Sequence, residues 1–454
     1  MDAAADVLVN RQAEAIAAYL RGGFEIPCGQ CLGFELEHFI VERDTHRPVF
    51  YHYPDHPGRI GVADILAELA GAYDEALWEE DAEGKRSLVG LQREQAVLTL
   101  EPGAQLEISI GPATTIPEIE AIYTAFYDEL APILEREGLE LSYAGYHPQA
   151  LARDIPLIPK DRYRYMDKHF AQSGRHGICM MRATASCQVS LDFASEEDAV
   201  RKMRVALGLG PLLSFLCDNA RVFEGCSVFD AALDPGLVAA SGLEVPTGMV
   251  RAAIWNDVDA RRSLLPAGSF AADFGFRAYA EALLRSPAIF LPPSLTGAGA
   301  TWADGASFST AYAGRELSDA DIEHILSLFF FDTRFKRYLE IRPADSMPPR
   351  YALAYTALLK GLFYQTEALA ELGRRFAGLD DTAVAQATVN LRHDGYDADV
   401  YGRSAGRWLE GLLVMAGYGL DEDEVDYLDP LGDLVAERKT LLDVPPPALV
   451  SHRT

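Results

Sequence analysis

The chain has 454 residues, of which 49% are hydrophobic and 24% charged, a balance that fits one large or two ordinary globular domains and argues against extensive disorder. The 68 acidic and 40 basic residues give a formal net charge of -28, which argues against non-specific binding to nucleic acid or to an anionic membrane. An anionic substrate must therefore be held by local cations or by metal ions.

The N-terminal residues and the apolar runs predict neither export nor membrane insertion. Met1–Asp6 lacks the positive region of a signal peptide. The run from Met203 to Cys217 is interrupted by Arg204 and is shorter than the roughly twenty residues of a membrane span, so it predicts a buried helix. Six cysteines in so long a chain favour a reducing cytoplasm, and the single C-x-x-C pair, Cys28 and Cys31, predicts structural thiols rather than a zinc or redox site.

The first part of the chain predicts a helix followed by a patterned strand. Residues 5–21 are Ala-rich and amphipathic and end at a Gly-Gly pair, which favours a helix. In residues 33–41 the alternation places Glu35 and Glu37 on one face of a strand and apolar residues on the other. Two such carboxylates repel each other unless a cation lies between them. The pair therefore indicates either a divalent metal site or, as is common for a single E-x-E, a solvated strand.

Residues 95–110 predict a β-hairpin with a second group of carboxylates. Glu107 shares a face with Gln105 and Ser109, and Glu101 stands at the turn. A helix is predicted to follow over residues 116–138, where apolar residues recur three and four apart.

The proline-rich segment 146–163 predicts an irregular loop at the surface or at the rim of a site. Within it, His147 stands beside a proline and is interpreted as a turn residue rather than a catalytic base. The sequence has no motif support for a Ser/His/Asp or Cys/His arrangement, and no Walker-type or G-x-G-x-x-G loop. Any use of ATP would therefore not depend on the common phosphate loops.

Residues 182–192 predict a third patterned strand, followed by a helix over 195–216. One face of this strand is rich in hydroxyls and is either exposed to water or the lining of a polar ligand site; it carries Thr184, Ser186 and Gln188. The looser stretch 218–247 is the expected place for a lid or an insertion, and residues 249–255 predict a short strand.

The most highly charged pattern lies at residues 334–342 and is interpreted as one strand. Its period of two places a carboxylate among cations on one face, made by Arg334, Lys336, Glu340 and Arg342. Such a row is either a solvated face or the set of charges that a polyphosphate and its metal ion need. The segment 286–314 predicts a flexible rim, the chain from Pro348 onward is predominantly helical, and the acidic run 421–424 predicts a solvated face.

These patterns, taken in order, resemble the glutamate–cysteine ligases of plants and proteobacteria. The resemblance rests on residues 33–39, 100–107, 180–189 and 334–342, and on the fitting segments 154–163 and 251–255. It implies an α+β fold like that of glutamine synthetase, in which a curved antiparallel sheet forms a funnel and helices pack around it. Residues 1–348 would form this catalytic core, and residues 349–454 a helical C-terminal region packed on it.

The resemblance also implies ATP and Mg²⁺ as cofactors, and glutamate and cysteine as substrates. The carboxylates that would hold Mg²⁺ are Glu35, Glu37, Glu101, Glu107 and Glu340. The cations that would meet the nucleotide phosphates are Arg334, Lys336 and Arg342. Substrate contacts would come from Arg251, Arg262, Thr184, Ser186 and Gln188, with the two arginines near the glutamate carboxylates or the transferred phosphoryl group. The expected catalytic set is Glu340, Arg342 and Arg262.

Two departures from the family pattern lie where substrate contacts are expected. The family commonly has an arginine where this chain has Ala183, and Arg182 would point to the opposite face of the strand. The glycine-rich stretch after the last motif is replaced by residues 343–348, Pro-Ala-Asp-Ser-Met-Pro. These differences bear on the identity of the amine more than on the ATP and metal chemistry.

The function that follows is ATP-dependent joining of the glutamate γ-carboxylate to the amine of cysteine. A carboxylate is a poor acyl donor, so activation as γ-glutamyl phosphate is expected, giving γ-glutamylcysteine, the first step toward glutathione. One alternative is the same activation with another amine, and another is an inactive, metabolite-binding regulatory protein on the same fold. The expected partners are small molecules, without nucleic acid or membrane, in the cytoplasm, and a homodimer is compatible with the sequence.

Overall fold

The computed structural model describes residues 3–25, 29–56, 58–80, 84–229, 248–297 and 299–445, with side chains from residue 6 onward. The helices are α1 (Ala3–Arg21), α2 (Val62–Leu69), α3 (Ile116–Glu137), α4 (Asp161–Ser173), α5 (Gly177–Ala183), α6 (Glu196–Leu216), α7 (Val250–Trp255), α8 (Phe276–Arg285), α9 (Pro293–Thr296), α10 (Phe308–Ala311), α11 (Asp319–Leu326), α12 (Pro349–Tyr364), α13 (Thr366–Arg375), α14 (Asp381–Asp394), α15 (Ala405–Gly417) and α16 (Asp429–Ala436).

The strands are β1 (Leu32–Glu42), β2 (Glu75–Glu80), β3 (Arg86–Arg93), β4 (Ala96–Leu100), β5 (Leu106–Ala113), β6 (Leu139–Ser142), β7 (Ser186–Leu191), β8 (Val222–Phe223), β9 (Cys226–Ser227), β10 (Ser263–Leu264), β11 (Phe290–Leu291), β12 (Thr301–Trp302), β13 (Phe330–Phe331), β14 (Thr333–Phe335), β15 (Leu339–Asp345), β16 (Asp399–Val400) and β17 (Arg403–Ser404). In the described part of the chain, nine of them form one sheet in the order β14-β15-β7-β1-β5-β4-β3-β2, with β6 beside β1. Its pairings are antiparallel, so the predicted α+β class with an antiparallel sheet is confirmed.

One face of the sheet is the apolar core, because alternate residues of each strand point to it. In β1, Phe34 and Leu36 are buried on this face. His38 joins them: its Nδ1 lies 2.9 Å from the Leu106 carbonyl oxygen and its Nε2 lies 3.0 Å from the Tyr123 hydroxyl of α3. Burial lowers the pKa of His38 to about 4, so this histidine is neutral and structural. The polar residues of the same strands are left on the opposite face.

Several predicted elements are confirmed close to their expected ends. The predicted helix 5–21 is α1, the strand 33–41 is β1, and residues 95–110 form the hairpin of β4 and β5. The predicted helix 116–138 is α3; it begins after Thr115, whose side chain accepts the Glu118 N–H, and ends at Gly138, which has a left-handed φ of 67°. The apolar run 203–217 lies in the buried part of α6, as predicted.

Three strand predictions are wrong in part or in full. Residues 249–255 contain the helix α7, because the periodicity of a seven-residue, mostly apolar run does not separate strand from helix. The predicted strand 182–192 begins at Ser186, since Arg182 belongs to α5 and pairs with Asp167 of α4 at 2.7 Å. Residues 334–342 are two short strands joined by a tight turn, in which the Lys336 N–H donates to the Tyr338 carbonyl at 2.8 Å.

The predicted loops are more ordered than their composition indicates. The segment 146–163 contains a short 3₁₀ helix (Ala152–Asp154) and the start of α4. His147 is a buried turn residue, as predicted: its Nδ1 accepts the N–H groups of Gln149 and Ala150. The rim 286–314 contains α9, α10, β11 and β12. Most of the expected lid, residues 230–247, lies outside the described residues.

The cysteines differ from the prediction at one position. Cys31 is disulfide-bonded, so its interpretation as a free structural thiol is wrong, and Cys28 lies outside the described residues. Cys179, Cys187, Cys217 and Cys226 are free thiols, and Cys187 and Cys217 are buried.

The described chain after Pro348 consists mainly of the helices α12 to α16, as predicted, up to residue 445. None of the helices found in the described residues combines the length and the apolar character that a bilayer crossing demands. The division into residues 1–348 and 349–454 stays a prediction.

The acidic run at 421–424 is not wholly a solvated face, because Glu424 is fully buried. Its carboxylate pairs with Lys360 of α12 at 2.6 Å and accepts the Ile116 N–H at the start of α3 at 2.8 Å. Lys360 Nζ also donates to the Thr114 carbonyl oxygen at 2.9 Å. This ion pair therefore joins the C-terminal helices to the start of α3.

We expect Lys360→Met to lower the free energy of unfolding by about 3–5 kcal/mol, because it leaves a buried carboxylate without its counter-charge. Chemical denaturation measures the loss. The double variant Lys360→Met/Glu424→Leu should recover most of it, since neither buried charge remains. An equal loss in the single and double variants would contradict this account.

Candidate active site

Two glutamates face each other across the centre of the sheet. Glu37 of β1 is paired directly with Glu107 of β5, on the face opposite the core. Each is held by hydroxyl groups: Thr99 donates to Glu107 at 2.8 Å, and Ser186 donates to Glu37 through its hydroxyl at 2.9 Å and its N–H at 2.7 Å. Like charges directly opposite each other destabilise a sheet, so a cation bound between Glu37 and Glu107 would stabilise this pair.

A second polar row runs beside the first. Glu35 of β1 lies between Ser109 of β5 and Gln188 of β7 in the strand register. The side-chain carbonyl of Gln188 accepts a hydrogen bond from Arg342, and its amide donates to Glu37 at 3.1 Å. Gln188 therefore connects the acidic part of the face to its cationic part.

The cationic part is built by the hairpin of β14 and β15. The turn brings Arg334 opposite Glu340 in the register. Glu340 is fully buried and pairs with Arg334, with Lys336 at 2.7 Å and with Arg342 at 2.9 Å. The row of charges predicted from period two is therefore real, although it comes from a hairpin rather than from one strand.

These rows meet in a cavity of about 270 Å³. Of the predicted site residues, its lining includes Glu35, Glu37, Glu101, Glu107, Thr184, Ser186, Gln188, Arg251, Arg334, Lys336 and Arg342. The residues come from separate segments of the chain, and the fold brings them to one place. Glu340 lies behind this wall, where it contacts the cations that line the cavity.

Arg262 is not among the residues that line this cavity. Its guanidinium is buried against Asp259 at 3.2 Å, and it donates to the carbonyl oxygens of Leu328 and Pro287. Burial lowers the pKa of Arg262 to about 10. The contacts of Arg262 are therefore structural, whereas the sequence predicted a catalytic and substrate-binding residue.

Four of the five predicted substrate residues line the cavity, and most of their polar groups already have protein partners. Ser186 and Gln188 both donate to Glu37. The Thr184 hydroxyl donates to the Met180 carbonyl at 2.8 Å. Arg251 donates through Nη1 to the carbonyl oxygens of Arg342 and Pro343, each at 3.3 Å. Ser186 and Gln188 thus orient the carboxylate of Glu37. Arg251 lines the cavity but is anchored to the backbone of β15.

Glu35 and Glu37 in the cavity, and Glu340 behind it, have perturbed pKa values. Burial, together with repulsion from Glu107 and Glu340, raises the pKa of Glu35 to about 8. Burial, with repulsion from Glu101 and Glu107, raises the pKa of Glu37 to about 8. Burial would also raise the pKa of Glu340, but the charges of Arg334, Lys336 and Arg342 hold it well below its usual range. Glu35 and Glu37 therefore resist ionisation, whereas the neighbouring cations favour the charged form of Glu340.

The acidic side chains are neighbours rather than a preformed chelate. In the part of the chain that the structure describes, no group of three or more His, Cys, Asp and Glu side chains is arranged to hold a metal ion. The donor types nevertheless fit a hard divalent cation, because carboxylate oxygens are its preferred ligands. The mutual repulsion of Glu37 and Glu107, which a bound cation would relieve, also favours a metal site here.

The sequence did not identify six other residues of the cavity lining, which are Arg162, Met166, Met180, Met181, Trp255 and Phe330. Trp255 and Phe330 lie with their ring centroids 6.1 Å apart. Among the described residues, Arg162 Nε, Arg251 Nε and Trp255 Nε1 are buried without a hydrogen-bond partner. These residues come from three helices, α4, α5 and α7, and from the short strand β13, and they carry no periodic signal that distinguishes them from core residues.

A second cavity of about 350 Å³ adjoins the first and shares Glu35 with it. Its walls are mostly apolar, and they include Leu32, Ile110, Pro112 and Leu191. Tyr338, at the turn between β14 and β15, also lines it. One polar and one apolar cavity therefore share Glu35 as a lining residue.

Comparison with known proteins gives concordant matches. The family model described as Glutamate-cysteine ligase family 2 (GCS2) matches residues 31–439. Glutamate–cysteine ligase B of Oryza sativa subsp. japonica is 32% identical over 365 residues, which cover 78% of this chain and 67% of the rice protein. The glutamate–cysteine ligase of Arabidopsis thaliana is 31% identical over 365 residues, which cover 78% of this chain and 63% of that protein. Both relatives are described as chloroplastic.

Among solved structures, glutamate–cysteine ligase from Francisella tularensis in complex with AMP matches with a TM-score of 0.49 and 11% identity, over 90% of this chain and 82% of that chain. The family model, by contrast, covers nearly all of the described residues. The resemblance predicted from the sequence is therefore confirmed, and the chain belongs to glutamate–cysteine ligase family 2, a family of ligase enzymes.

Proposed function

We propose that this chain joins the glutamate γ-carboxylate to the amine of cysteine, with ATP as the phosphoryl donor and γ-glutamyl phosphate as the intermediate. One observation carries the proposal: a single cavity is lined by four glutamates and by the cations of the β14–β15 hairpin. Carboxylates can hold metal ions, and fixed cations stabilise charge on a moving phosphoryl group. Family membership supports the identity of the two amino-acid substrates.

The residues proposed to hold Mg²⁺ are Glu35, Glu37, Glu101 and Glu107. They line one compartment, and burial together with repulsion between carboxylates raises the pKa values of Glu35, Glu37 and Glu107, an effect that a bound cation would offset. When bound, Mg²⁺ would neutralise the phosphates of ATP. Arg334, Lys336 and Arg342 would bind phosphate oxygens, as charge-assisted donors do.

The apolar second cavity is proposed to take the adenine and ribose of ATP. Its apolar walls suit an aromatic base, and Tyr338 offers a ring and a hydroxyl. Because the two cavities meet at Glu35, the phosphate chain of a nucleotide placed there would point toward the cations and carboxylates.

The part of the polar cavity lined by Arg162, Arg251 and Trp255 is proposed to hold the two amino acids. Arg162, Arg251 and Trp255 each have a buried N–H without a partner in the described chain, and a buried unpaired donor is costly. Substrate carboxylates would satisfy these donors. Met166, Met180 and Met181 add polarisable sulfur atoms, which suit the thiol side chain of cysteine.

In the proposed reaction the protein mainly positions the reacting groups and neutralises the charge of the phosphates. Ser186 and Gln188 hold Glu37 in place, while Thr99 holds Glu107. Arg342 and Lys336 would stabilise the charge that develops as the γ-phosphoryl group passes to the glutamate carboxylate. The amine of cysteine then attacks the acyl phosphate, and phosphate leaves.

An ADP-release assay with Mg²⁺, ATP, glutamate and a panel of amines tests the proposal. We expect ADP release to require both glutamate and cysteine, with γ-glutamylcysteine as the product identified by mass spectrometry. Rapid release with another amine and weak release with cysteine would favour a different acceptor. Absence of release with every amine would favour an inactive, metabolite-binding protein. A homodimer and a cytoplasmic location stay predictions.

A further inference from the structure

We propose that Asp218 is a positioning residue, which fixes the start of α7 and thereby the location of Arg251 and Trp255 in the cavity wall. The inference rests on the proposed function, in which these two side chains help to hold the amino-acid substrates. It goes beyond that function because Asp218 does not line the cavity itself. A carboxyl group outside the site would therefore control how the site binds its substrates.

The helix α7 begins in a backbone conformation that needs support. Met249, the residue before the helix, has a left-handed φ of 54°, which methionine rarely adopts. Such a conformation persists only where contacts of the surrounding structure hold it in place. Because α7 has only six residues, the geometry of its first turn sets the direction of the whole helix.

Asp218 supplies the contact that holds this turn. Its side chain is buried; Oδ2 accepts the Met249 N–H at 2.5 Å, and Oδ1 accepts the Ala220 N–H at 3.4 Å. The residue before Met249 is Gly248, where a Cβ would lie 2.8 Å from Asp218 Oδ2. Gly248 thus leaves the room that the carboxyl group needs to reach the Met249 N–H.

The same segment is tied to β15, so Arg251 is held from two directions. Asn219, next to Asp218, donates its N–H to Asp345 at the end of β15 at 2.9 Å. Arg251 itself donates to two backbone carbonyl oxygens of β15, each at 3.3 Å. The Arg251 Nε, which has no hydrogen-bond partner in the described chain, is therefore kept in a fixed position beside the cavity.

The state of Asp218 suits a hydrogen-bond acceptor better than a counter-ion. Burial, together with repulsion from Asp345, raises the pKa of Asp218 to about 8, although the Met249 and Ala220 N–H groups favour its charged form. Its charge is therefore mostly absent at neutral pH, whereas one of its oxygens still accepts the Met249 N–H. Asparagine would keep that oxygen and alanine would remove it, and this difference separates the role of the acceptor from that of the charge.

Steady-state ADP release tests the inference on two variants that break the contact and one that keeps it. Asp218→Ala removes the acceptor, and Gly248→Ala displaces it by placing a methyl group against it. We expect each to raise the KM of glutamate by at least about tenfold, because Arg251 and Trp255 are misplaced, while the KM of ATP changes less than about twofold. Asp218→Asn should keep the KM of glutamate within about threefold of the wild type.

Lys360→Met is the control for a loss of stability, because it breaks the buried ion pair with Glu424 rather than a contact of α7. At a temperature at which all variants are folded, its KM of glutamate should stay within about twofold of the wild type. Hydrogen exchange followed by mass spectrometry reports on α7 directly. Residues 249–257 should exchange at least about tenfold faster in Asp218→Ala and Gly248→Ala, with α1 unchanged.

Unchanged exchange of α7 in both alanine variants would overturn the inference, as would an Asp218→Asn protein that is as impaired as Asp218→Ala. An equal rise of the KM of glutamate in Lys360→Met would also overturn it, since that result would assign the effect to stability alone. If Asp218→Ala does not fold, Gly248→Ala decides, because it keeps the carboxyl group and adds a single methyl group. A wild-type protein that releases no ADP would contradict the proposed function, and the exchange measurement would still decide whether Asp218 holds α7.

Discussion

Replacing Glu37 with glutamine is expected to lower kcat/KM by about 10²- to 10³-fold, the size of loss that follows when a preorganised electrostatic group is removed from an active site. Glu37 stands directly opposite Glu107 and is held by Ser186 and Gln188. Glutamine keeps the shape but removes the charge that would attract Mg²⁺. Steady-state ADP release at saturating and at limiting Mg²⁺ measures the effect.

The matched control for this variant is Glu75→Gln, which changes an exposed glutamate of β2 in the same sheet. It should leave kcat/KM within about twofold of the wild type, because exposed charges far from a site are screened by solvent. The Glu37→Gln protein should fold at least as well as the wild type without metal, since it loses a repulsive contact. Wild-type activity in Glu37→Gln would remove Glu37 from the proposed metal site.

The affinity for Mg²⁺ is expected to rise steeply between about pH 5 and pH 8, by up to about tenfold for each pH unit for every proton displaced, and to level off above that range. Burial and the neighbouring carboxylates raise the pKa values of Glu35 and Glu37 from 4.5 to about 8, so both carry protons in the metal-free protein below that pH. A metal ion must displace these protons, and this competition weakens as the pH rises.

Calorimetric titration with Mg²⁺ in buffers of different ionisation enthalpy measures both the affinity and the protons released. The same shifts have a consequence for stability. A carboxyl group with a raised pKa stabilises the metal-free fold at low pH, and this contribution is lost as the pH rises from 4.5 through about 8. Thermal unfolding of the wild type should show this trend more strongly than that of Glu37→Gln. A Mg²⁺ affinity that does not depend on pH would contradict the proposed site.

The sequence was most informative where a short-range pattern decides the structure. Period-two alternation is enough to place Glu35 and Glu37 on one face, and this prediction agrees with β1. The direct opposition of Glu37 and Glu107 could not be predicted, because the register between β1 and β5 depends on packing across the whole sheet. The sequence therefore identifies the carboxylates of each strand separately but does not predict how those of different strands lie relative to one another.

The errors have physical causes of the same kind. No glycine, proline or asparagine marks the turn at 336–338, so the hairpin was interpreted as one strand. Arg262 and Arg162 are both arginines near aromatic residues, yet the first is buried by Asp259 and backbone carbonyls while the second lines the cavity. Local sequence does not distinguish these environments, since the backbone carbonyls that enclose Arg262, those of Leu328 and Pro287, are distant in the chain.

The alternation of β1 also limits how this protein can change in length. Its 11 residues supply the apolar core with Phe34 and Leu36 and the cavity with Glu35 and Glu37. Inserting or deleting one residue at the start of the strand would turn every following side chain to the other face. Carboxylates would then enter the core while leucine and phenylalanine faced the substrates. Indels in this strand should therefore be far rarer among functional homologues than indels in the surface turns.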